Sequence, residues 1–133
     1  MSVVAAGGIL LGGCGVLPSS TAGASWSLAP GQEVTAASTE LQVLVTRVGC
    51  NSGVTGTAEE PTVDVGADRV VVTFVVTPEE PGSADCQGNP EVPFTLLLPE
   101  PLGARALVDG QCLGDGEAAG TSFCADGGLR YEP

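Results

Sequence analysis

Nine consecutive residues, RVVVTFVVT at positions 69–77, constrain the fold more than any other feature of the chain. Five of them are Val, with two Thr and one Phe. β-branched and aromatic side chains of this density suit a pleated backbone and crowd a helix. A run apolar at nearly every position, rather than at every second one, marks a strand covered on both faces. Residues 41–48, LQVLVTRV, behave similarly: Leu41, Val43 and Val45 share one face, and Leu44 and Val48 lie on the other. Residues 94–98 and 104–108 are shorter strand candidates, with 62–65 and 129–132 weaker ones. Turn-rich clusters at 51–56, 66–68, 78–93 and 109–120 separate them. No window of 11 residues carries a 3.6-residue period free of Gly or Pro. The pattern predicts an all-β domain, a small antiparallel β-sandwich or barrel of about five to seven strands.

The N-terminus reads differently. Residues 3–11, VVAAGGILL, form a nine-residue apolar run, too short for the roughly 20 residues of a membrane-spanning helix and of the length of a signal-peptide core. Leu11-Gly12-Gly13-Cys14 follows it directly and resembles the bacterial lipobox, in which the Cys takes a lipid and becomes the first mature residue. The competing reading is an apolar strand with a buried thiol. Small residues before the Cys and the Ser/Thr/Gly-rich stretch behind it favour the lipobox. The one departure is a missing basic n-region, since the first cation is Arg47. Residues 1–13 are therefore expected to be a lipoprotein signal peptide, 14–39 a lipidated Cys with a flexible tether, and 40–133 the β-domain. The tether reading rests on Gly, Ser, Ala, Thr and Pro without apolar periodicity. Trp26, the only Trp, sits inside it, either folded back on the domain, at the lipid interface, or stacked on a ligand.

Setting Cys14 aside for lipidation leaves Cys50, Cys86, Cys112 and Cys124, an even number in a chain sent to an oxidising compartment. Two disulfides are expected to staple the domain. Of the three possible pairings, Cys50 with Cys86 and Cys112 with Cys124 is favoured, because CLGDGEAAGTSFC can close on itself as a Gly-rich loop. A zinc site is disfavoured by the lack of CxxC spacing and of His.

The stretches TRVGCNSGVTG, DRVVVTFVVTP and CQGNPEVPFTLLLPEPLGARALVDGQC resemble those of small secreted lipoproteins of high-GC actinobacteria, over about residues 40–133. The resemblance implies an envelope location and a Cys-stapled β-domain. It carries no functional residue with it.

Composition narrows the functional classes. Sixteen acids against four Arg, with no Lys and no His, give a net charge of −12. A phosphate-backbone partner needs clustered cations, so nucleic acid is excluded as an expectation. Ser52 has neither His nor Lys to take its proton. Glu59 and Glu60 could supply two carboxylates, but neighbours on a strand point to opposite faces. Asp109, Asp115, Glu117 and Asp126 crowd the Cys112–Cys124 loop, where calcium would find oxygen ligands, without the EF-hand spacing; acidic turn residues are more often caps. The four Arg, at 47, 69, 105 and 130, are expected to form ion pairs rather than an anion site. No cofactor and no catalytic residue is assigned. The sequence points to a lipid-anchored, extracytoplasmic binding or structural module of the cell envelope, with a protein or glycan partner and contact loops at 51–56 and 82–90. The alternative is a small carboxylate-dependent envelope hydrolase.

Overall fold

The computed structural model describes residues 21–50, 53–77 and 88–133. They form eight strands: β1 Ala22–Leu28, β2 Glu40–Arg47, β3 Thr57–Ala58, β4 Thr62–Val65, β5 Arg69–Thr77, β6 Val92–Leu97, β7 Ala106–Asp109 and β8 Leu129–Tyr131. Two one-turn 3-10 helices, Gly110–Cys112 and Ser122–Cys124, lie between β7 and β8. All six predicted strands are present, the densest runs being the longest.

The strands make one mixed open sheet in the order β6-β2-β1-β5-β7-β8, with β3 and β4 both on the opposite edge of β5. This corrects the expected antiparallel sandwich or barrel of five to seven strands in two ways. The sheet has eight strands, and the β5–β7 pair is parallel. The chain leaves β6 at the same end of the sheet at which β5 begins, so β7 enters alongside β5 in the same direction, tied by Ala106 N–H to the Asp68 carbonyl at 3.0 Å. Strand β5 serves two leaves. Its first half pairs with β4 and β7, and its second half with β1 and β3.

The second correction concerns residues 22–28, assigned above to the tether. They are the strand between β2 and β5. The sequence AGASWSL has weak strand propensity because small residues bury little, yet that smallness lets neighbouring chain pack close. A Cβ at Gly23 would stand 2.6 Å from Glu117 Oε2, and the Gly23 N–H donates to that oxygen at 2.7 Å. Trp26 supplies the burial that the small residues lack. It is 2% exposed and lies 6.3 Å from Phe74, which stands edge-on to Phe94 at 5.1 Å. Of the roles open to Trp26, folding back onto the domain is the one observed. Residues 29–39 then turn the chain from β1 into β2, held by Gln32, whose amide accepts from the Gln42 N–H and donates to the Ala29 carbonyl.

The inner face follows the period of two. Trp26 is opposite Val45, Val43 opposite Phe94, Leu41 opposite Leu96 and Ala24 opposite Phe74. Val70, Val72, Phe74 and Val76 of β5 complete it, all buried. Leu102, from the loop after β6, closes the lower end; its N–H donates to Ser38 and that of Gly103 to Ala36.

Candidate binding groove

β1 and β7 both leave the same edge of β5, one from residues 74–76 and the other from 69–72. At the fork, backbone groups of β5 lose their ladder partners. A buried carbonyl left unpaired is costly, so something must replace the missing strand. Side chains do so. Trp26 Nε1–H donates to the Val72 carbonyl and Gln111 Nε2–H to the Phe74 carbonyl, each at 2.9 Å.

Asp109 fills the centre of the fork with no exposure at all. Its Oδ2 accepts from Ser25 Oγ–H at 2.7 Å, from the Trp26 N–H at 3.3 Å and from Arg130 Nη2–H at 3.0 Å. Its Oδ1 caps the first 3-10 helix through the Gln111 N–H at 2.9 Å. Arg130 continues the network: Nε–H donates to the Trp26 carbonyl, Nη2–H to the Phe123 carbonyl, and Nη1–H to Asp126 Oδ1 at 3.3 Å. A Cβ at Gly110 would stand 1.8 Å from Thr73 Oγ1, so any larger residue there would force Thr73 to shift. The disulfide Cys112–Cys124, with Cα atoms 5.4 Å apart, closes the loop that carries these groups.

That loop also sets Phe123 over the upper end of the sheet, 38% exposed. Between Phe123, the end of β2 and the approach to β6 opens a cleft of about 400 Å³. Residues 46–50 form one wall, and Gly88, Asn89 and Glu91 the other. Asn89 ties the two walls, donating from Nδ2 to the carbonyls of Arg47 at 3.0 Å and Gly49 at 2.7 Å. A second hollow of about 230 Å³ shares Thr46, Glu91 and Phe123 and runs on over Ser25, Ser27 and Leu44 to Arg130. Ser25 pairs with Thr46 and Ser27 with Leu44, so the hollow lies on the outer face. The result is a groove with a largely hydroxyl floor and one aromatic wall.

Arg47 belongs to neither face in the ordinary way. It continues the inward series Leu41, Val43, Val45 and is paired with buried Ala24. Its Nε and Nη1 are enclosed without a hydrogen bond among the described residues, as is Asn89 Oδ1. The expectation that all four Arg form ion pairs is met by Arg130, with Asp109 and Asp126, and by Arg105, with Glu100 at 2.7 Å. Arg47 and Arg69 make no ion pair among the described residues.

The other sequence candidates fall into place individually. Asp109 is a buried acceptor, Glu117 is exposed at the surface and accepts from the Gly23 N–H, and Asp126 caps a turn and meets Arg130. Among the described residues no group of three or more His, Cys, Asp or Glu is placed to hold a metal ion. Glu59 accepts from the Thr77 hydroxyl at the end of β5. Cys50 is a disulfide cysteine; Cys86, and with it the Cys50–Cys86 pairing, lies outside the described residues, as do Cys14 and Ser52. Of the contact loops expected at 51–56 and 82–90, Gly88 and Asn89 line the cleft. Phe123, Thr46 and Glu91 went unassigned in the sequence. The first lies in a Gly-rich loop without period, and the other two read as ordinary strand-edge residues.

Among the described residues no helix is long and apolar enough to cross a membrane. Comparison of the chain with protein-family models, with curated proteins and with solved structures gives no match in any of the three.

Proposed function

We propose that this protein is a lipid-anchored, extracytoplasmic binding module of the cell envelope, attached through Cys14 after removal of residues 1–13, and that it takes a protein or glycan partner in the groove beneath Phe123. The groove carries this reading. The cleft of about 400 Å³ is within the size range of a ligand site, the adjoining hollow has its floor on the paired strands β1 and β2, and the Phe123 wall is fixed by the Cys112–Cys124 bridge. An aromatic side chain over hydroxyls is suited to a ligand with both apolar and hydrogen-bonding surface. A second disulfide, Cys50 with Cys86, would brace the opposite wall. Holding these walls before the partner arrives lowers the ordering cost of binding.

The hydrolase reading needs two convergent carboxylates. Glu91 is the single acid among the described residues that line either hollow. With neither His nor Lys in the chain, a base for a one-carboxylate mechanism has no obvious source. Binding is therefore the better-supported activity.

A photo-crosslinking residue at position 123, in the tagged protein expressed in its own envelope, tests the assignment. Discrete adducts from position 123, absent when the same residue replaces Val65 on β4, are the expected result. Identical adduct patterns from both positions would remove the groove as the contact surface. Catalytic turnover of an ester, glycoside or peptide that disappears in Glu91→Gln at unchanged stability would replace binding by hydrolysis.

A further inference from the structure

The position of β1 limits how far the domain can stand from its anchor. We infer, building on the lipid-anchor reading, that the end of the sheet bearing Ala22 and the 400 Å³ cleft faces the lipid headgroup layer, and that the opposite end faces away from the bilayer. Were residues 14–39 all tether, full extension would allow roughly 90 Å. Ala22 instead begins a strand fixed between β2 and β5. From Cys14 to Ala22 there are eight peptide steps, which span at most about 29 Å whatever their conformation.

The same end of the sheet holds the cleft. Val48 N–H donates to the Gly23 carbonyl at 3.1 Å, Ala24 pairs with Arg47, and Ala22 pairs with Val76 near the end of β5. Ala22 is therefore close neighbour to the residues that wall the cleft. At the other end lie residues 29–39 and 98–105, joined by the Leu102 and Gly103 hydrogen bonds. A domain of this size has a radius of gyration of about 13 Å. Turning the cleft outward would carry Ala22 with it and draw the short link to its limit. The upper end carries Glu59, Glu91 and Glu117 at its surface and encloses the guanidinium of Arg47, so it meets the headgroups as a polar surface held by its anchor.

The test uses full-length lipidated protein in phosphatidylcholine vesicles containing a dansyl-headgroup lipid as energy acceptor. Trp26, the single Trp, lies four residues into β1, about 13 Å from Ala22. Its emission is expected to fall about twofold relative to dansyl-free vesicles, and an insert of roughly 20 Gly/Ser residues after position 20, adding about 25 Å of coil, should restore most of it. Moving the single Trp in a Trp26→Phe background gives the orientation: Glu91→Trp should be quenched more strongly than Glu33→Trp. Equal quenching at 91 and 33, or no response to the insert, overturns the inference. Vesicle flotation of the same samples separates the two claims. Protein that fails to float refutes the lipid anchor itself, whereas protein that floats without the expected quenching refutes only the orientation.

Discussion

The two leaves that share β5 are held by different means. In the β6-β2-β1 leaf every strand is zipped to its neighbour over several residues, and opposed apolar pairs such as Val43 with Phe94 and Trp26 with Val45 fill the inner face. In the β7-β8 leaf the pairings are short, with a register shift at Leu107/Val108. There Asp109, Gln111 and Arg130 make the bonds that a longer ladder would have made. Apolar packing tolerates imprecise positioning and loses stability by degrees, whereas a buried charge network holds only when complete. The difference teaches that this small domain spends its few polar core groups where strand pairing fails.

Single truncations should hit both leaves hard, and double substitution should separate them. Phe74→Ala removes a fully buried ring and should cost about 3–5 kcal/mol. Asp109→Ala should cost a similar amount, about 3–5 kcal/mol, by leaving the Ser25 hydroxyl and the Trp26 and Gln111 N–H groups without their acceptor and taking from Arg130 its buried carboxylate. Urea unfolding gives both values. Asp109→Leu combined with Arg130→Met should recover much of the second loss, since apolar replacement of a whole buried pair is often neutral. Failure of the double variant to improve on Asp109→Leu alone would mean that the network is needed for its hydrogen bonds to the backbone rather than for its charge balance.

Opening the Cys112–Cys124 bridge, with its separation of 12 residues, should cost about 3 kcal/mol by the chain-entropy relation. A Cys112→Ser/Cys124→Ser variant, followed by thermal unfolding and hydrogen exchange, should show the larger loss of protection in β7 and β8. Uniform loss across β2 and β6 would erase the distinction between the leaves.

Arg47→Met should have the smallest effect and the opposite sign, raising stability by about 0–2 kcal/mol, because it replaces a guanidinium with two enclosed nitrogens that find no hydrogen bond among the described residues by an apolar side chain of similar reach. A clear drop in the urea midpoint would show that the guanidinium is engaged.

The sequence made the apolar leaf legible and the polar one opaque. Runs such as 41–48 and 69–77 declare themselves because one strand's own residues decide its burial. β1 does not, although Ala22, Ala24, Trp26 and Leu28 do alternate. Its stability comes from Val45, Phe74 and Glu117, which are distant in the chain, and Gly, Ala and Ser look the same in a strand as in a tether. The role of Asp109 was hidden for a related reason. In the string VDGQC it is a turn acid, and only the fork between β1 and β7 makes it a core residue. The pairing of Cys112 with Cys124 was readable because both ends lie in one short loop, while the groove, assembled from five separated segments, had no local signature.

Arg130 reaches back 105 positions to Ser25, and this has a bearing on how the protein is made. Synthesis proceeds from the N-terminus, so β1 emerges long before the residue that completes its hydrogen bonding. Until position 130 is available, the fork stays open and the Trp26 carbonyl lacks its guanidinium partner. Long-range closure of this kind slows folding. The last residues to be synthesised are thus the ones that lock the structure.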